Sequence, residues 1–152
     1  MNCQCTRLTT IILKRFSILL SALLLCCSFS FLDADKTYIG KWKGKDKGDI
    51  GYLTLTKDRY ATFEFDGEIM GGKSYNHQGV TAALKYRVNT KKNPATIDFI
   101  IWDKKKAIEV GKLRGIFKMS SDSEMHMAIN FSGSNYRPKD FSADSITFLR
   151  DK

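Results

Sequence analysis

The chain has 152 residues, 43% of them hydrophobic and 27% charged, with 11 Gly and 2 Pro. That length and composition allow one globular domain with its own core and exclude a collagen-like, proline-rich or disordered chain. Lys and Arg outnumber Asp and Glu by 25 to 16, a net charge of +9 that favours anionic partners without specifying one.

In chain order, the first segment is a different material from the rest. Residues 1–32 contain no Asp or Glu, and their only charges are Arg7, Lys14 and Arg15. An apolar run from Phe16 to Cys27 follows, broken only by Ser17 and Ser21. A basic start, an apolar core of about 12 residues and small residues after it make a secretory leader. Ser28-Phe29-Ser30 predicts cleavage after Ser30, with Ser28 as second choice, giving a leader over 1–30 and a mature domain over 31–152. Two alternatives accompany this. Extended to Leu32, the apolar stretch reaches the lower edge of a spanning helix. Cys26 and Cys27 end the apolar core, where a lipid-acceptor cysteine would sit after a small residue. Leu25 fits that requirement poorly and Cys26 slightly better, so a lipid anchor would be on Cys27. All four cysteines, 3, 5, 26 and 27, lie in the leader. The mature domain therefore has no disulfide and no thiol for catalysis or zinc.

After a lead-in over 33–38 the chain reads as short strands with no long helical period. The first is Ile39 to Lys45. Asp49–Thr56 and Arg59–Asp66 form a hairpin through Lys57-Asp58, with Leu53, Leu55, Phe63 and Phe65 alternating against polar residues. Glu68–Gly79 is Gly-rich and reads as a loop with room for one small strand. Val80–Val88 pairs with Ala95–Trp102 across the turn-rich Asn89–Pro94. Asp103–Lys106 is a turn. Leu113–Met119 pairs with Glu124–Phe131 across Ser120–Ser123. Ser132–Phe141 is irregular, and Asp144–Arg150 is the last strand. The prediction is all-β: about eight mostly antiparallel strands, each with one apolar face, closing into a barrel or stacking as a sandwich.

Lysines cluster at 41, 43, 45 and 47, at 91–92 and at 104–106, near predicted turns and strand ends. There they blunt sheet edges, and they offer weak attraction to an anionic envelope or membrane surface. No helix-turn-helix or aromatic RNA-binding motif occurs, so nucleic acid is not an expected partner.

Three groups of residues carry a resemblance. Gly40-Lys41-Trp42 opens the domain. Asn93-Pro94-Ala95-Thr96-Ile97-Asp98 and Leu113-Arg114-Gly115-Ile116-Phe117 lie in its middle. Tyr136-Arg137-Pro138-Lys139-Asp140-Phe141-Ser142 precedes a closing strand ending in Leu149-Arg150. In order and spacing, over roughly 38–151, these resemble the lipocalin-like family of small exported bacterial proteins of unknown function. The resemblance implies an up-and-down β-barrel. It also implies that Trp42 packs at the closed end with Arg150 across it and that Gly40 allows the close approach: a structural motif, not a ligand site. A second lipocalin block of Thr-Asp-Tyr character and a disulfide are both absent.

Catalytic and metal signals are sparse. His77 and His126 have no neighbour at ligand spacing. Asp46-Lys47-Gly48-Asp49 lacks the later acid of a calcium loop. Gly71-Gly72-Lys73-Ser74 ends like a phosphate loop but lacks its first Gly and its strand–loop–helix setting. Asp98, Asp103 and Glu109 are the nearest candidates for a carboxylate pair and read as strand and turn residues. Met119, Met125 and Met127 read as core, with a soft apolar lining as the second reading. Asn130-Phe131-Ser132 has the form of a glycosylation sequon. No cofactor or metal is expected. The expected function is a non-catalytic exported binding module holding a small apolar or amphipathic ligand inside the barrel. Leu53, Leu55, Phe63, Phe65, Phe99, Phe117 and Met127 are the candidate lining. The alternative is an envelope interaction module whose barrel those same side chains fill, and a small hydrolase is the third reading.

Overall fold

The computed structural model describes residues 37–45, 50–143 and 145–152. The expected leader, with its cleavage at Ser30 and its Cys27, lies outside the described residues, as does the Asp46–Asp49 segment.

Among the described residues ten strands run in chain order: β1 (Gly40–Gly44), β2 (Ile50–Leu55), β3 (Ala61–Phe65), β4 (Glu68–Gly71), β5 (Tyr75–His77), β6 (Val80–Asn89), β7 (Ala95–Asp103), β8 (Ile108–Ser121), β9 (Glu124–Asn130) and β10 (Ser145–Arg150). They form one antiparallel sheet in the order β4-β3-β2-β1-β10-β9-β8-β7-β6-β5. Every neighbouring pair except β1–β10 is consecutive in sequence, which is an up-and-down meander. A sandwich would need two sheets; here a single sheet curls into a nearly closed barrel.

The first and last strands close one seam, with Trp42 opposite Arg150 and Gly44 opposite Phe148. The other seam is closed by a few bonds onto β6. Tyr60 bridges Lys85. Leu84 N–H donates to Gly72 O at 2.9 Å, and Tyr86 N–H to Arg59 O at 2.9 Å. Gly71 makes this approach fit. Its φ is +119°, and a Cβ there would collide with the Ala61 carbonyl and sit 2.9 Å from Leu84 Cδ2.

Eight strands were expected, and ten are present among the described residues. The two extra ones, β4 and β5, come from the Gly-rich stretch read as a loop. At four and three residues each, they are too short for a period of two to show. β8 also starts at Ile108 instead of Leu113, because the β7–β8 hairpin continues past a register shift between Ile101 and Trp102. Its first residues, Ile108 and Val110, are 50% and 43% exposed, so no buried face marked them in sequence.

Alternation sorts the side chains. Leu84, Tyr86, Ile97, Phe99, Ile101 and Leu113 point inward with Phe117, Met125, Met127, Ile129 and Phe148, joining Trp42, Leu53, Leu55 and Phe63 in one core. The outward face has one anomaly. Ile116 and Ala128 are register partners on the outside, yet they are 2% and 0% exposed. The segment joining β9 to β10 passes over this face. Within it Pro138 is buried, and Arg137 donates to Gly115 O at 2.5 Å and Ile97 O at 3.1 Å.

Candidate binding site at the barrel end

The seven candidate lining residues fall in one place, the core. Leu53, Phe63, Phe99 and Met127 are 0–1% exposed with Leu55, Phe117 is 3% exposed, and Phe65 is partly buried against them. A side chain with no accessible surface borders neither solvent nor a void the size of a water molecule. Phe63 and Phe99 touch with ring centroids 4.8 Å apart, and Phe131 meets Phe63 at 5.9 Å. Met125 and Met127 complete the packing and Met119 lies at its margin. One polar atom inside stands out. The Tyr75 hydroxyl is buried with no hydrogen-bond partner, and burial raises its pKa.

One end of the barrel is built around Trp42 and Arg150. The Arg150 guanidinium carbon lies 4.3 Å from the Trp42 ring centroid. Its nitrogens donate to the carbonyls of Thr37, Ile39 (3.0 Å) and Asp122 (2.7 Å). Trp42 Nε1 donates to Tyr38 O at 2.8 Å. A Cβ on Gly40, φ +140°, would sit 2.6 Å from an Arg150 nitrogen. Three successive carbonyls of the lead-in are thus fixed, and they hold Tyr38 across the barrel end. Its ring meets Phe117 at 5.6 Å and Tyr86 at 6.3 Å, both edge-on. The Tyr86 hydroxyl donates to Thr56 O at 2.7 Å, and burial pushes its pKa up to about 12.

Tyr38 borders two hollows. One, of about 210 Å³, lies between the lead-in, the β6–β7 turn and the β8 rim, with Phe117, Ala95, Pro94 and Met119 as apolar walls and Lys92 and Lys118 at its edge. The Asn93–Pro94 peptide bond there is cis. The other, of about 100 Å³, is bordered by Val88, Tyr86, Lys57, Arg59 and Arg87. Sequence reasoning singled out Phe117 only as interior lining and missed Tyr38. An aromatic in a lead-in, outside any periodic strand, carries no pattern of its own.

The candidate acids are committed to structure. Asp98 and Asp103 are 8% and 2% exposed, more enclosed than outward strand and turn positions imply. Asp103 Oδ1 accepts from the backbone N–H of Lys105 (2.9 Å) and Lys106 (3.0 Å), capping the β7–β8 turn. Asp98 accepts from Arg137 and, at 3.2 Å, from Arg87. Burial is the largest single influence and would raise its pKa. The hydrogen bonds and charges of Arg137 and Arg87 together outweigh it and hold the carboxyl below its usual value. Glu109 pairs with Lys112 at 2.9 Å, so the three acids do not converge.

The remaining motifs also have local roles. His126 Nε2 lies 3.0 Å from Glu124 Oε1 and its Nδ1 3.3 Å from Thr147 Oγ1, on the outer face of β9 and β10. His77, on β5, packs its ring 6.0 Å from Tyr75. Lys73, of the Gly-Gly-Lys-Ser turn, pairs with Asp58 at 2.7 Å. The Asn130 side-chain amide donates to Ser134 Oγ and Tyr136 O, both at 2.8 Å, shaping the crossing segment. Among the described residues no three His, Cys, Asp or Glu side chains are placed to hold a metal ion. No protein-family model, no curated protein and no solved structure matches the chain.

Proposed function

We propose that the chain is an exported, non-catalytic, lipocalin-like barrel with a solid interior, which works by binding at its surface and barrel end. The observation that carries this reading is the enclosure of the side chains suited to line an interior site. They touch one another and leave almost no surface for a guest inside the barrel, with Phe117 reaching the hollow at the barrel end by an edge only. A calyx that carries a ligand needs a concave apolar wall that the ligand can reach. The leader Phe16–Cys27 and its flanks support export, and the exposed lysines at 57, 91, 92 and 118 support contact with anionic envelope components. The non-catalytic part of the reading rests on Asp98 and Asp103, whose carboxylates are occupied by arginines and by turn N–H groups.

One observation favours a second reading, an interior carrier: the unpartnered Tyr75 hydroxyl, a polar anchor at the core margin. Native mass spectrometry of the protein purified from its own host, before and after denaturation, separates the two. The mass of residues 31–152 with nothing released supports the solid barrel. A lipid-like molecule released at near-unit stoichiometry overturns it and restores the carrier. The same spectrum reads the leader, since cleavage after Ser30 and lipid on Cys27 differ in mass.

A further inference from the structure

We propose that the hollow beside Tyr38 is a binding site for a small amphipathic anion, apolar body inward and carboxylate or phosphate outward. The proposal rests on the surface-binding reading above and adds the place and the ligand class. It moves the ligand out of the barrel interior to the end that Trp42 and Arg150 close.

Three observations converge. The first is shape. A hollow of about 210 Å³ is about seven water volumes, smaller than most drug-sized pockets, so it suits a short acyl chain or a single ring. The second is lining. Phe117 and Ala95 form the apolar floor, and Met119, Pro94 and the Tyr38 ring the walls. The thioether of Met119, only partly buried, adapts to irregular apolar shapes. The third is charge. Lys92 and Lys118 stand at the rim, both exposed. No Asp or Glu belongs to the lining among the described residues. A carboxylate leaving the apolar floor meets these two ammonium groups, while its hydrocarbon part lies over Ala95, Met119 and the small exposed edge of Phe117.

The site is also held open in advance. Tyr38, its inner wall, has its carbonyl bonded by Trp42 Nε1. The carbonyls on either side, of Thr37 and Ile39, are bonded by Arg150. A wall fixed before binding loses little freedom when the ligand arrives. The Trp42–Arg150 pair thus acts on the site through Tyr38, without touching the ligand.

The anion can come free in solution or as the exposed part of an anionic lipid, and the test separates these. Isotopically labelled protein, expressed from its full sequence and purified in exported form, is titrated with sodium octanoate and followed by amide NMR. Saturable shifts are expected at Tyr38, Ala95, Phe117 and Met119, and 1-octanol should bind at least about fivefold more weakly, the loss of one modest ion pair. Lys92→Glu and Lys118→Glu should each weaken octanoate by a similar factor. Lys104→Glu and Lys105→Glu, the same charge change at the opposite end, should not. In parallel, sedimentation with phosphatidylglycerol vesicles, against phosphatidylcholine vesicles, reads the lipid source. Vesicle binding lost in the Lys92 and Lys118 variants assigns the anion to lipid; octanoate binding alone assigns it to a free molecule. The proposal is overturned if neither probe binds, if the shifts fall elsewhere, or if both pairs of variants behave alike. Such a failure leaves the solid interior standing, because the mass measurement reads that independently.

Discussion

Asp98→Asn isolates the contact that clamps the segment between β9 and β10 onto the barrel. The Asp98 side chain is 11% exposed; its partner Arg137 is 25% exposed and its partner Arg87 64%. Exposed pairs contribute about 0–1 kcal/mol, whereas breaking a buried one costs about 3–5 kcal/mol. The Arg87 arm belongs near the first limit, and the Arg137 arm lies between the two. An amide at position 98 keeps an acceptor but loses the charge. The step from a charge-assisted to a neutral hydrogen bond is worth about 1–1.5 kcal/mol, and residual burial of the Arg137 charge adds to it. The expected total is about 2 kcal/mol, a fall in Tm of about 8 °C for a domain of this size. Urea denaturation followed by tryptophan fluorescence measures it. Double-mutant cycles should couple Asp98 to Arg137 by about 2 kcal/mol and to Arg87 by under about 1 kcal/mol. The pH dependence follows from the depressed carboxyl. Its stabilisation is complete above the unfolded-chain value of about 3.9 and is lost as pH falls through the lower folded value. The difference between wild type and Asp98→Asn should therefore be constant near neutrality and shrink below about pH 4. Equal coupling to both arginines, or a difference that grows on acidification, would refute the reasoning.

Other outcomes can be stated more briefly. Arg150→Ala removes a cation over an indole and three carbonyl bonds. It should cost about 3 kcal/mol in urea unfolding, with Arg150→Lys recovering less than half, since an ammonium lacks the planar fork that serves several acceptors. Gly71→Ala should cost about 2–5 kcal/mol, combining a left-handed backbone with overpacking. Gly67→Ala, at φ +87° with nothing within 4 Å, should cost only about 1–2 kcal/mol, and thermal melts compare the pair. Phe63→Ala should destabilise by about 3–5 kcal/mol and leave a dry cavity. Benzene should then raise the Tm of the variant and leave the wild type unmoved. A wild-type response of the same size would count against the solid core.

The strands with a clean period of two were legible: the β2–β3 hairpin from Leu53, Leu55 and Phe63, and β7 from Ile97, Phe99 and Ile101. Short connectors fixed their antiparallel pairing. The strands of three and four residues were not legible, because a period needs more than two repeats to be seen. The Asp98–Arg137 contact was hidden for another reason. Its partners are 39 residues apart, and one sits in irregular chain. A signal did exist: Ile116 and Ala128 are apolar at positions that alternation assigns to the outside, which asks for something to cover them. The nominated lining residues do share one interior. Whether an apolar interior is solid depends on side-chain volume against barrel radius, and no linear pattern encodes that balance.

The seam between β1 and β10 has a consequence in time. Arg150 bonds carbonyls 111 and 113 residues before it, so the barrel cannot close until the chain has been synthesised through β10. Contacts at that separation make folding slow, because most of the chain must be ordered before they form. A chain that stays open until β10 has emerged is compatible with the export proposed above, since an open chain can be threaded. Deleting the β10 residues Leu149 and Arg150 with those that follow should therefore leave a protein that is made but never closes its barrel.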